Sequence, residues 1–195
     1  MKRPLSGNML TGVILTCAAL LLSACENTSL PFLEKPLVLQ CPDYYVLEDA
    51  ATITQFRDGP GRDIIDVVAR GQIGEIQLGC VTDVDRETDS GKMLIDITPI
   101  IAAEMGPANS TQSTVLPYFV VVTDPKKNIL YREPLKVDVS FQGNKTQVIL
   151  LPQTTTVEIP ITPEIRNHYY RIYAGFELTE EQAAYNRKAI QDRLR

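Results

Sequence analysis

The sequence predicts a mainly β protein in which two antiparallel sheets pack face to face, followed by a single C-terminal α-helix. Three observations carry this reading. Short segments rich in β-branched and aromatic residues recur along the chain. Clusters of Gly, Pro, Asn and Asp separate them, at Asp58-Gly59-Pro60-Gly61, Asp89-Ser90-Gly91, Gly106-Pro107-Ala108-Asn109, Asp124-Pro125 and Gly143-Asn144, which is the punctuation of an all-β chain. Before residue 179 only Ile64 to Arg70 could be read with a helical period, which argues against an alternating βα fold.

The first element is an export signal over residues 1–24. Lys2 and Arg3 form a basic start, and Met9 to Leu22 then runs mostly apolar, too short to cross a hydrocarbon core comfortably. The run ends in Leu22-Ser23-Ala24-Cys25, which resembles the lipobox of bacterial lipoproteins. That resemblance implies cleavage before Cys25, a diacylglyceryl thioether on its sulfur and acylation of the new amino terminus, palmitate being the familiar chain. Two or three acyl chains, at about 0.8 kcal/mol per buried methylene, make such an anchor effectively permanent. Glu26 stands where the inner-membrane retention signal of enteric lipoproteins has aspartate. By analogy the periplasmic face of the outer membrane is the expected location.

Residues 25–40 are expected to form the lipidated start and a tether. Glu26 to Pro36 holds two prolines and little periodicity, and some fifteen extended residues reach at most about 50 Å. Phe32 and Leu33 could instead dock on the domain. Loss of Lys2 and Arg3 takes the formal net charge from -5 to -7, which argues against nucleic acid and anionic membrane surfaces as partners. Of the four cysteines, Cys17 leaves with the signal and Cys25 carries lipid. Cys41 and Cys80 remain, and in an oxidising compartment they are expected to pair. A metal site would need more ligands than these and the lone His168 supply, so no metal and no cofactor are expected.

The domain proper is expected over 41–178, with strands near 44–50, 73–83, 92–101, 116–123, 129–141, 146–150, 155–161 and 168–178. Alternation names the inward residues: Met93, Ile95 and Ile97; Val137, Val139 and Phe141; Val157, Ile159 and Ile161; Ile76, Leu78 and Cys80. One-sided strands suit a β-sandwich of immunoglobulin-like or transthyretin-like type. The last segment, 179–195, differs. Thr179 followed by Glu180, Glu181 and Gln182 is a capping box, and Arg187, Lys188, Arg193 and Arg195 complement the far end of the helix dipole. A helix over about 180–193 follows, with a thin apolar stripe of Ala183, Ile190 and Leu194 that places it on the surface.

Three stretches resemble those of a family of uncharacterised proteobacterial outer-membrane lipoproteins: Phe56 to Asp63, Leu116 to Val122, and Gly175 to Thr179 with Gln182 and Tyr185-Asn186-Arg187. The resemblance covers most of the chain after Cys25 and implies an envelope location, with no site residues to carry over.

Candidate sites are few. Asp83, Asp85, Glu87 and Asp89 alternate before Gly91, but neither register supplies the glycine and glutamate of a calcium loop, so a solvated hairpin turn is expected. Gly59-Pro60-Gly61-Arg62-Asp63 lacks the Lys-Ser/Thr of a phosphate cradle and reads as a turn, braced by pairing of Arg62 with Asp63. With one histidine and no nucleophile elbow, a non-enzyme is expected. Three Asn-x-Ser/Thr sequons, at Asn27, Asn109 and Asn144, read as chance in a bacterial lipoprotein. In the segment from His168, Tyr170, Ile172, Ala174, Phe176 and Leu178 face inward, which turns Tyr169, Arg171, Tyr173 and Glu177 outward. Tyrosine and arginine are favoured at interfaces, so Tyr169, Arg171 and Tyr173 are the expected contact for another envelope protein, unless a strand or the terminal helix covers them. The loop Met105 to Thr114 is a second candidate contact. The alternative is a periplasmic binder of a small ligand or glycan, using a pocket near Gly106 to Thr114 or the acidic 83–89 turn.

Overall fold

The computed structural model describes residues 39–164 and 169–195. The expected signal, Cys25, most of the tether and His168 lie outside the described residues. Two sheets pack face to face, with one helix after them. Strands β1 (Asp43–Val46), β2 (Thr52–Phe56), β3 (Val67–Asp85), β4 (Ser90–Met105), β5 (Ser113–Thr123), β6 (Ile129–Ser140), β7 (Gln147–Leu150), β8 (Thr155–Ile161) and β9 (Arg171–Phe176) precede helix α1 (Glu180–Arg193). Sheet A has the order β1-β9-β5-β6; sheet B has the order β2-β3-β4-β7, with β8 also pairing β4. Every pairing is antiparallel except β1 with β9.

The alternating residues form the core. Met93, Ile95 and Ile97 on β4, Val157, Ile159 and Ile161 on β8, Val137 and Val139 on β6, Phe141 just beyond it, and Ile172, Ala174 and Phe176 on β9 are buried in one cluster. Cys80 is half-buried against it on the inward side of β3, and it forms a disulfide with Cys41 across a Cα–Cα distance of 5.7 Å. That bond ties the chain just ahead of β1, an edge strand of sheet A, to β3 of sheet B.

The long β3–β4 hairpin is articulated by two residues whose chemistry requires it. Gly74 is one extra residue in β3: Ile73 lies opposite Ile101 and Glu75 opposite Ile100. The inward set therefore switches from Val67, Ala69 and Ile73 to Ile76, Leu78 and Cys80, as a β-bulge demands. On β4, Pro99 sits between the stretch paired to β8, which stops at Ile97, and the stretch paired to β7, which starts at Ile101. A proline inside a sheet needs such a gap, because it has no N–H to give. Pro134 lies on the edge strand β6 and Pro160 on β8, where they block further strand addition.

Gly71 is needed for close approach. A Cβ there would stand 2.8 Å from Leu116, 2.9 Å from Ile53 and 2.9 Å from Phe176, so its missing side chain is the space in which three core groups of both sheets meet.

Three expectations are corrected. The strand read over 44–50 is β1 followed by a 3-10 turn at Glu48–Ala50, and β2 was not anticipated. The helical reading of Ile64 to Arg70 gives way to a 3-10 turn, Ile64–Asp66, capped by Asp63, and then the start of β3. Arg62 does not pair with Asp63; it forms a two-pronged ion pair with Glu181, at 2.5 and 3.0 Å, while holding the carbonyls of Gly59 and Gly61. Helix α1 starts from the Thr179 capping box and spans Glu180–Arg193 on the surface, as expected, with Asn186 as its buried residue. Asn186 donates to the carbonyls of Thr52 and Asp49, and Gln182 donates to that of Thr54. The helix thus covers the open edge of β2 with side-chain amides, which supply the donors a neighbouring strand would have given.

Candidate functional site

The outward tyrosines belong to a surface built by register. The parallel β1–β9 pairing sets Asp43 beside Arg171 and Tyr45 beside Tyr173. On the other side of β9, Val121 lies beside Tyr173, Thr123 beside Arg171, and Phe119 beside Gly175. Strand β6 then adds Arg132 opposite Val121 and Pro134 opposite Phe119. Because β9 lies inside sheet A, its outward residues have neighbours on both flanks. An edge strand would have left them isolated.

The Tyr45 and Tyr173 rings stack with centroids 5.7 Å apart and planes 27° apart. Tyr45 is 46% exposed and Tyr169 is 44% exposed, whereas Tyr173 is half-buried. Arg171 lies 3.6 Å from Asp43 and donates to the carbonyl of Tyr170. Along the same face the Arg132 guanidinium sits 5.7 Å over the Phe119 ring and bonds Glu177 at 2.7 Å. Gly175 makes room for this: a Cβ there would stand 2.8 Å from both Ala50 and the Phe119 ring. Val121 and Thr123 point to the outer side by register yet are 9% and 6% exposed. The Thr123 hydroxyl finds no hydrogen-bond partner among the described residues.

Tyr169 lies exposed in a 3-10 turn ahead of β9, and the structure brings Arg171 and Tyr173 to one face of that strand. A strand does flank them, and part of Tyr173 is covered by Tyr45. The terminal helix packs against β2 instead. Tyr45 was missed in the sequence, because nothing local announces a parallel pairing between strands so distant in the chain. Titration behaviour on the inner side follows from burial. Burial and nearby Glu133 raise the Tyr118 phenol, burial and Asp124 raise that of Tyr170, and burial with a short hydrogen bond to Glu133 pushes Tyr131 up to about 12.

The other candidates are turns with internal partners. Asp85 Oδ1 accepts from the amides of Glu87 and Thr88 at 2.7 and 3.3 Å and so closes the β3–β4 hairpin. A shallow cavity of about 480 Å3 beside it is lined by Asp83, Asp85, Lys92 and Glu158. Among the described residues no three His, Cys, Asp or Glu side chains converge as metal ligands. The loop after β4 closes on itself, with Asn109 bonding the carbonyl of Ser113 at 3.1 Å and accepting from the amide of Thr111 at 3.1 Å. The Gly59–Asp63 turn is held by Arg62 and by Asp66, whose carboxylate binds Arg57 at 2.5 Å and the Asp63 amide at 3.1 Å. No helix among the described residues is long and apolar enough to cross a membrane.

No protein-family model, no curated protein and no solved structure matches this chain.

Proposed function

We propose that this protein is a lipid-anchored binding module of the bacterial envelope, held by Cys25 at the periplasmic face of the outer membrane and engaging another envelope protein without catalysing a reaction. The observation that carries the binding role is the stacked, half-exposed Tyr45–Tyr173 pair with Arg171 on the same face of β9 and Tyr169 exposed just ahead of that strand. Rigid aromatic rings with an adjacent guanidinium offer a large contact area at small conformational cost, and such groups dominate binding energy at interfaces. The location rests on the lipobox and Glu26, and the lipobox implies a palmitoyl-class anchor.

The test uses cells of the native host carrying a photo-crosslinking residue in place of Tyr169. One specific envelope protein is expected in the adduct, and Tyr45→Ala/Tyr173→Ala is expected to abolish it while the protein level stays unchanged. A spread of unrelated adducts, unaffected by that double substitution, overturns the partner reading. A mass spectrum of the mature amino terminus tests the anchor separately, since Cys25 is expected to carry diacylglycerol.

A further inference from the structure

On the far side of the molecule, the outer face of sheet B is concave where β2, β3, β4 and β7 run side by side. A cavity of about 520 Å3 lies over Thr52, Gln72, Ala102 and Ile149. A second, of about 390 Å3, is walled by Ile64, Val67, Met105 and Pro107. Arg70 and Glu104 line both, so the two cavities adjoin at these residues. Each volume falls in the range that holds a small ligand, roughly 300 to 1,000 Å3.

Arg70 and Glu104 are direct register partners on β3 and β4. Opposite charges so placed have Cβ atoms about 5 Å apart, within reach of a side-chain ion pair. Asp43 and Arg171, direct register partners on β1 and β9, stand 3.6 Å apart. Among the described residues neither Arg70 nor Glu104 is engaged in an ion pair or a side-chain hydrogen bond. The site thus holds one donor fork, the half-buried Arg70, and one acceptor, the exposed Glu104, neither engaged by another described side chain, between a polar trough and an apolar pocket.

We propose that this is a binding site for a short zwitterionic peptide of dipeptide size. Its terminal carboxylate meets Arg70, its terminal ammonium meets Glu104, and one apolar side chain enters the pocket of Ile64, Val67 and Met105. The charge pattern selects this ligand class. A polyanion would meet Glu104 as well as Arg70, and a polycation the reverse. A sugar would want an aromatic platform, and no aromatic side chain lines either cavity. Extended residues span about 3.3 to 3.6 Å each, so the charged ends of one or two residues match two side chains rooted about 5 Å apart. The site is independent of the tyrosine face and of the anchor, and it stands whether or not that reading does.

The experiment is a titration of the purified full chain with alanyl-leucine, followed by amide resonances and by thermal shift. Saturable changes at Gln72, Ala102 and Gly106 are expected. Arg70→Gln and Glu104→Gln are each expected to weaken binding at least about tenfold, the effect of losing one charge-assisted hydrogen bond. Acetyl-alanyl-leucine amide, which lacks both charges, is expected not to bind. The charge-swapped Arg70→Glu/Glu104→Arg is expected to recover binding, since a zwitterion can turn round. Three results overturn the proposal: no saturable change up to about 10 mM dipeptide, equal binding of the blocked peptide, or undiminished binding in the two single variants with their melting temperatures unchanged.

Discussion

Asn186 on α1 donates one amide group to two carbonyls of the β2 region, that of Thr52 at 2.7 Å and that of Asp49 at 3.0 Å. One buried side chain thus docks the helix on a sheet edge that a strand would otherwise seek. Asn186→Leu keeps the bulk and removes both bonds, leaving the two acceptors poorly satisfied. A loss of about 1 to 3 kcal/mol in urea unfolding is expected, with faster amide exchange along α1. Unchanged exchange would show that the helix is held by other contacts.

Removing the disulfide acts on a different part of the molecule. Cys41 and Cys80 are 39 residues apart, and the chain-entropy relation puts the stabilisation from closing such a loop at about 4 kcal/mol. Cys41→Ser/Cys80→Ser is therefore expected to lower the denaturation midpoint strongly. It is also expected to loosen β1, measured as greater proteolysis near residues 43–47. Local loosening without a global change would mean that the entropic effect is offset in the folded state.

Gly71→Ala tests how tightly the two sheets meet. The added methyl group would stand within 2.9 Å of Ile53, Leu116 and Phe176, all of which are buried. Overpacking of this kind costs about 1 to 3 kcal/mol. Gly74→Ala is the matched control, because a Cβ there has nothing within 4 Å, and it is expected to change stability far less in the same assay.

The Arg62–Glu181 pair makes stability depend on acid in a stated direction. The hydrogen bond and the charge of Arg62 hold the Glu181 carboxyl below its ordinary value. A carboxyl depressed in the folded state contributes above its unfolded value, and the contribution fades as pH falls through the folded one. Wild type and Glu181→Gln are accordingly expected to differ in stability at neutral pH and to converge once pH drops below the carboxylate range. A difference that persists in acid would assign the effect to packing. Both groups are exposed, so the size is expected to be small and sensitive to salt.

Alkali acts through Tyr131, whose phenol is raised to about 12 by burial and by Glu133. A raised value in the folded state contributes below the unfolded value near 10 and is lost as pH climbs from there to about 12. Tyr131→Phe is expected to remove this part of the alkaline loss, followed by unfolding at increasing pH. The phenolate absorbance of wild type should show Tyr131 titrating late together with the raised Tyr118 and Tyr170, and the Tyr131→Phe protein should show one late phenol fewer.

What could be read from the residues depended on whether the physics was local. The capping box of Thr179 and Gln182 needs only four consecutive residues, and α1 starts there. Strict alternation in β4, β6 and β8 announces their buried faces for the same reason. Strand β3 defeats the rule in its first half, because Gly74 inserts a residue and shifts the period. Ile64, Ile65, Val67 and Val68 then mimic a helical spacing. The partner of Arg62 lies 119 residues away, so its neighbour Asp63 was the natural but incorrect choice. Arg171 and Tyr173 share a face of β9 as alternation requires, whereas Tyr169 falls in a 3-10 turn ahead of the strand, where alternation does not apply; the stacking of Tyr45 on Tyr173 depends on a parallel register that no local pattern encodes.

The cross-link from Cys41 to Cys80 also decides how the fold bears a load. Tension applied to the chain ahead of residue 41 does not peel away β1, four residues long and at a border. It passes through two sulfurs into the middle of β3, which is paired along its length to β4. To yield, the protein must part the long β3–β4 ladder rather than the short β1–β9 one, so the bond makes the first strand a passenger and β3 the structural beam.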